Sequence, residues 1–223
     1  MRKAICSLVA MVAMLAMVGS AVAKEPKDDA AKPDKPKAEK KEKESVEQRQ
    51  QARKEAFEMA MSDQDYDKAI SILDEMIADK GVAEEGKTIA MMTQFIILAE
   101  KKGDGAKACP LAKKLSEIKK DNDEVLNALA WTILDTANLK NRDLDLAMSI
   151  AQQAAQVSKH SNPAILDTLA RAYFEKGDLD RAIEVQTKAV EKAKGDETVA
   201  DELRTSLKET LEKYKAKKAG KKS

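Results

Sequence analysis

The chain has 223 residues, 40 Lys and Arg against 39 Asp and Glu, one histidine, and only 3% aromatic residues. Near-neutrality excludes the global basic field with which a protein attracts nucleic acid. Two cysteines, one of them in the N-terminal apolar run, exclude an intramolecular disulfide framework once that run is removed.

The chain opens MRKAICSLVAMVAMLAMVGSAVAKE: Arg2 and Lys3, an apolar run from Ala4 to Val18, then small residues ending in Ala21-Val22-Ala23. That order predicts a secretory signal peptide over 1–23, cleaved after Ala23, and hence an exported, periplasmic or secreted protein. A membrane anchor is the other reading, but the run is about 15 residues against the roughly 20 that span a bilayer. Cys6 lies too near the start of the run to take a lipid and leaves with the peptide. No later segment has spanning character. Losing Arg2 and Lys3 changes the balance from 40 basic and 39 acidic residues to 38 and 39.

Residues 24–45 are expected to form a disordered linker. Up to Glu44 they read KEPKDDAAKPDKPKAEKKEKE, with eight lysines, seven acids, three prolines and no large apolar residue to repay the entropy of ordering. Lysine-rich contact with a cell wall or anionic lipid is the alternative, weakened by the segment's near-neutral charge.

The ordered region is predicted to begin with Ser45, capping a helix through Gln48, with Ala52, Ala56, Phe57 and Ala60 along one side. After Ser62-Asp63-Gln64 comes DYDKAISILDEMI, whose Ala69, Ile70, Leu73, Met76 and Ile77 recur at helical spacing. This helix–turn–helix grammar returns three more times, as TIAMMTQFIILAEKKGDGAKACPLAKKLSEI, VLNALAWTILDTANLKNRDLDLAMSIAQQAAQV and LDTLARAYFEKGDLDRAIEVQTKAVEKA. Aligned on the small residue early in each second helix, Ala69, Ala108, Ala147 and Ala182 fall 39, 39 and 35 residues apart. Such a period predicts a solenoid of helix pairs over 46–195, each hiding its apolar face against the next. The second copy has an overlong first helix, and the third carries extra residues around Thr136 to Arg142, read as tolerated insertion in preference to idiosyncratic contacts. Pro110 is expected to delay or bend its helix. After Gly195, Val199, Leu203, Leu207, Leu211 and Tyr214 mark one amphipathic helix over 196–217, capped by Asp196 and serving as a lid on the last repeat, before a basic, frayed tail at 218–223.

The fourth copy resembles a tetratricopeptide repeat, with Leu166, Leu169, Ala170, Tyr173, Ala182 and Ala189 at signature positions and Gly177-Asp178 at the turn. Gln186 departs from the signature, where a large aromatic is usual, and so does Lys194, where proline closes the repeat. The resemblance implies an all-α, right-handed helical-repeat solenoid of about four helix pairs with a C-terminal capping helix. The run NALAWTIL, KNRDLDLA and NPAILDTLARAYFEKGDLDRAIE is also similar to the C-terminal repeat region of exported thioredoxin-domain proteins, although the redox domain those proteins carry ahead of the repeats has no counterpart here.

No chemistry announces itself. There is no CxxC and no glycine-rich phosphate cradle. His160, in a Lys-His-Ser-Asn-Pro linker, reads as a solvated loop residue with no partners for zinc. Cys109 reads as a small buried residue in preference to a reactive thiol. Neither catalytic residues nor a cofactor or metal is expected. The phase of the repeats places Asn127, Trp131, Asp167, Arg171 and Phe174 on the concave wall, where they suit a protein or peptide partner; Trp131 and Phe174 read equally well as packing between repeats. The clamp by which the family holds a partner's C-terminal carboxylate is not expected, because Asp167 stands where lysine would serve, but Arg171 is left to hold an acidic group. The functional expectation is a non-enzymatic exported adaptor. An accessory role in envelope thiol redox chemistry, through Cys109 or a recruited enzyme, is the alternative, and self-association is a third reading.

Overall fold

The computed structural model of the protein describes residues 37–220, with side chains from Gln48 onward. The expected signal peptide, most of the expected linker and the last three residues lie outside the described residues. Nine α-helices follow in order: α1 (Lys37–Ser62), α2 (Tyr66–Ala78), α3 (Glu84–Ile96), α4 (Gly105–Ile118), α5 (Asp123–Asp135), α6 (Leu144–Val157), α7 (Pro163–Glu175), α8 (Leu179–Lys194) and α9 (Asp201–Gly220). No strand occurs among the described residues. The architecture is the expected all-α helical-repeat solenoid.

Local sequence explains where most helices start. Asp65, Asp104, Asn122, Asp143, Asn162 and Asp178 sit at the N-caps of α2 and of α4 to α8, each accepting a backbone N–H from the first turn through its side chain. A cap of this kind is worth about 1 kcal/mol and fixes the entry of each helix to within a residue. Pro110 does not delay α4, which begins five residues earlier at Gly105 because Asp104 caps it there. The overlong first helix of the second copy is resolved by a single π-helical turn, Ile97–Lys101, directly after α3.

The chain divides into two compact units, one up to Ile97 and one from Leu98. In the first, Phe57 and Ala60 of α1, Ala69, Ile72, Leu73 and Met76 of α2, and Ala90 of α3 form one buried cluster with Ile97. Arg53 donates to Asp79 Oδ2 at 2.5 Å, tying α1 to the end of α2. That bond, followed by the Gly81 N–H, holds the Asp79 carboxyl below its ordinary range. Two expectations are corrected here. Ala52 is exposed and does not join the apolar side of α1. The helix starts at Lys37, so Ser45 lies inside it and residues 37–45 of the expected linker are helical. KAEKKEKES is rich in strong helix formers, and prolonging a helix needs no new nucleus.

In the second unit α5 pairs with α6, α7 with α8, the pairs stack through α6–α7 and α5–α7, and α4 lies against α5 and α6. Ala108, Ala147 and Ala182, the small residues that set the repeat register, are all fully buried, as is Ala69 in the first unit. Ala182 touches Ala170 and Tyr214 where helices approach closely. Ala182→Leu is expected to cost about 1–3 kcal/mol through overpacking, read as a lowered thermal midpoint.

The extra residues around Thr136 to Arg142 are not merely tolerated. Lys140 N–H donates to Gly103 O at 2.9 Å and Gly105 N–H to Lys140 O at 3.0 Å, an isolated parallel bridge between the turn before α4 and the turn before α6. Leu139 is buried beneath it, and Arg142 donates to Leu134 O at 2.9 Å. The bridge explains Gly105: a Cβ there would lie 2.2 Å from Lys140 O and 2.7 Å from Asn141 O. Gly105→Ala must part the two turns, and a loss of about 1–3 kcal/mol is expected in chemical denaturation. Gly195→Ala, whose nearest neighbour would be 3.9 Å away, serves as the near-neutral control.

The last helix also departs from expectation. It begins at Asp201, not near Asp196, whose side chain instead accepts from Thr198 in a turn. It continues through Gly220, so the basic stretch expected to fray is helical that far. Its stripe is as read: Leu207, Leu211 and Tyr214 are buried, with Val199 and Leu203 partly so.

Candidate partner-binding surface

The five residues expected on the concave wall all lie on α5 and α7. At 100° per residue, Glu124, Asn127, Trp131 and Asp135 fall within roughly 80° of one another on α5. Asn162, with Pro163 behind it in the first turn, sets the start of α7 and hence the direction of Asp167, Arg171 and Glu175. Arg171 joins the two helices: its Nη2 lies 4.0 Å from Asp135 Oδ1 and its Nε 2.8 Å from Glu175 Oε1.

The five do not share one open surface. Asp167 is 4% exposed, sealed into the interior. Its Oδ1 accepts from Gln186 Nε2 at 2.8 Å, and the same amide nitrogen donates to Leu207 O at 3.1 Å. α7, α8 and α9 thus meet at one buried side chain. Here is the reason for the departure at Gln186: an aromatic ring at that position would fill space but leave Asp167 and the Leu207 carbonyl each short of a donor. Phe174 is taken as well, its ring stacked on Tyr214 with centroids 4.5 Å apart and planes 16° from parallel. Tyr214 is buried. The side of α7 that bears Asp167 and Phe174 is therefore held by α8 and α9.

What remains open is the α5 side. Trp131 and Asn127 are each half-buried, and Asn127 Oδ1 is covered without a hydrogen-bond donor among the described residues. Asp135, at 43% side-chain exposure, is the most open member of the charged group, against 26% for Arg171 and for Glu175. Asp135 and Glu175 went unnamed in the sequence reading, as did the pairing of Tyr214 with Phe174. The available signal was the i, i+4 spacing of Asp135 from Trp131 and of Glu175 from Arg171.

Cys109 is buried, as expected, and burial pushes its thiol above the ordinary range. Slow labelling of the native protein by a thiol reagent is the expected outcome, with rapid labelling on unfolding. His160 is exposed in the turn after α6, with φ of 54°. Among the described residues no group of three or more His, Cys, Asp or Glu is arranged to hold a metal ion. No helix of the described residues is long and apolar enough to cross a membrane.

Stacked helix pairs with buried alanines at the crossings define a helical-repeat protein. Residues 138–207 match the tetratricopeptide repeat family, covering the bridged turn, α6, α7, α8 and the start of α9. That segment is of the tetratricopeptide-repeat type, and such repeats generally mediate protein–protein interaction. A search of curated proteins finds no match to the chain.

Proposed function

We propose that this is an exported, non-enzymatic adaptor that binds a protein or peptide partner on the α5–α7 face. One observation carries the reading: Trp131 stands half-buried on the open side of α5, one turn from Asp135, while the neighbouring wall is closed by α9. A large rigid ring that is neither sunk into the core nor isolated on the surface is the kind of side chain that anchors interfaces. Export is supported by the charge, apolar and A-x-A order of residues 1–23. Burial of Cys109 counts against a redox role through that thiol.

The test is capture of partners from envelope extract by the wild-type chain and by Trp131→Ala, with circular dichroism confirming that the variant folds. Partners retained by wild type and lost by the variant are expected; equal retention would remove this face from the account. For export, the protein isolated from its native cell is expected to begin at Lys24 by N-terminal sequencing, and an intact Met1 would end that part of the proposal.

A further inference from the structure

We infer that the α5–α7 face takes a lysine- or arginine-bearing peptide segment, which seats an apolar side chain against Trp131. The inference rests on the adaptor reading and names the chemistry of its partner. Charge is the first ground. α5 reads DEVLNALAWTILD, with Asp123, Glu124 and Asp135 and no cation; α7 reads PAILDTLARAYFE, with Asp167, Glu175 and Arg171 alone. With Asp167 sealed inside, the two helices of this face still offer four carboxylates, Asp123, Glu124, Asp135 and Glu175, against one guanidinium. The bias is local, because α8 carries Asp180, Glu184 and Glu191 against Arg181, Lys188, Lys192 and Lys194.

The disposition of Arg171 is the second ground. Sequence alone leaves it to receive an acidic group, but its guanidinium is already paired with Glu175 and Asp135. An acidic partner would meet surplus carboxylates and no uncommitted cation on these two helices. A basic one meets Asp135 and Glu124, both exposed, on the same side of α5 as Trp131. An indole face also attracts a cation directly, which adds to the same preference.

Trp131 is the single tryptophan of the chain, so its emission reports on this face and on nothing else. The experiment titrates the full-length protein with two synthetic peptides of equal length and identical apolar residues, one carrying lysines and the other glutamates at the remaining positions. The lysine peptide is expected to shift Trp131 emission saturably, more weakly as salt rises, and the glutamate peptide to leave it unchanged. Asp135→Lys is expected to weaken binding of the lysine peptide roughly tenfold. Glu124→Lys, at an exposed position away from Arg171, should weaken it in the same direction and covers the case in which Asp135→Lys disturbs the fold. Equal responses to the two peptides, or affinities unmoved by both charge reversals, would overturn the inference. So would self-association without peptide that Asp135→Lys abolishes, which assigns the face to a second copy. If captured partners depend on Trp131 yet ignore both charge reversals, this inference falls and the adaptor reading stands. If they are indifferent to Trp131→Ala, the adaptor reading falls first.

Discussion

Tyr214→Ala is expected to lower the stability of the second unit by about 3–5 kcal/mol, the range for truncating a large buried aromatic. Tyr214 is only 1% exposed, in contact with Ala170 and Ala182 and stacked on Phe174. Its removal opens a cavity where α7, α8 and α9 converge, helices that the buried hydrogen bonds of Gln186 also tie together. At about 4 °C per kcal/mol for a unit of this size, the thermal midpoint is expected to fall by more than about 10 °C. A fall of only one or two degrees would mean that α9 is not anchored through this ring. Tyr214→Phe keeps the stack and isolates the hydroxyl. Burial first, and the Asp167 carboxylate second, hold that hydroxyl above the ordinary tyrosine value of 10.0, with Arg171 partly opposing. The folded state therefore resists losing this proton. Its contribution is complete below the ordinary tyrosine value and is lost as pH climbs past it, because the unfolded chain ionises first. Wild type is expected to lose more stability than Tyr214→Phe between about pH 9 and 11, measured by thermal midpoints at matched ionic strength.

Gln186→Ala is expected to cost about 3 kcal/mol. It removes one donor from the buried Asp167 carboxylate and the same donor from the Leu207 carbonyl, and bonds to charged groups are worth about 1.5–3 kcal/mol each before the cavity is counted. The diagnostic comparison is with the double variant Asp167→Leu, Gln186→Leu. Replacing both polar partners by apolar groups of similar size is expected to recover most of the loss, whereas Gln186→Leu alone leaves Asp167 short of a partner. Denaturant unfolding of the three variants gives the coupling directly. Additive effects would show that Gln186 and Asp167 do not act on one another.

The repeat architecture was legible because its signals are periodic and local. Ala69, Ala108, Ala147 and Ala182 announce helix crossings by size alone, and all four are buried as that reading requires. Helix starts were legible in principle too, through six Asp and Asn caps. The errors fell where the deciding contact is remote in sequence. Asp167 has the right phase for the groove, and nothing within α7 tells that Gln186, 19 residues on, will draw it inward. Phe174 is likewise claimed by a residue 40 positions away, Tyr214. Departures from the repeat signature were the usable clue, since Gln186 in place of an aromatic ring is costly unless a buried polar partner waits for it. Residues 37–45 were misjudged for another reason: composition measures the absence of a core, not the reach of a helix started further along.

The bridge between residues 103–105 and 138–140 alters how this array comes apart. In a chain of stacked hairpins each repeat answers mainly to its immediate neighbour, and turns are the first places to exchange their amide hydrogens. Here two turns are buttoned together by reciprocal main-chain bonds. The amides of Gly105 and Lys140 should exchange at one shared, slow rate instead of at the pace of surface loops. An added length of chain that invites fraying becomes the fastening that makes adjoining hairpins open as one.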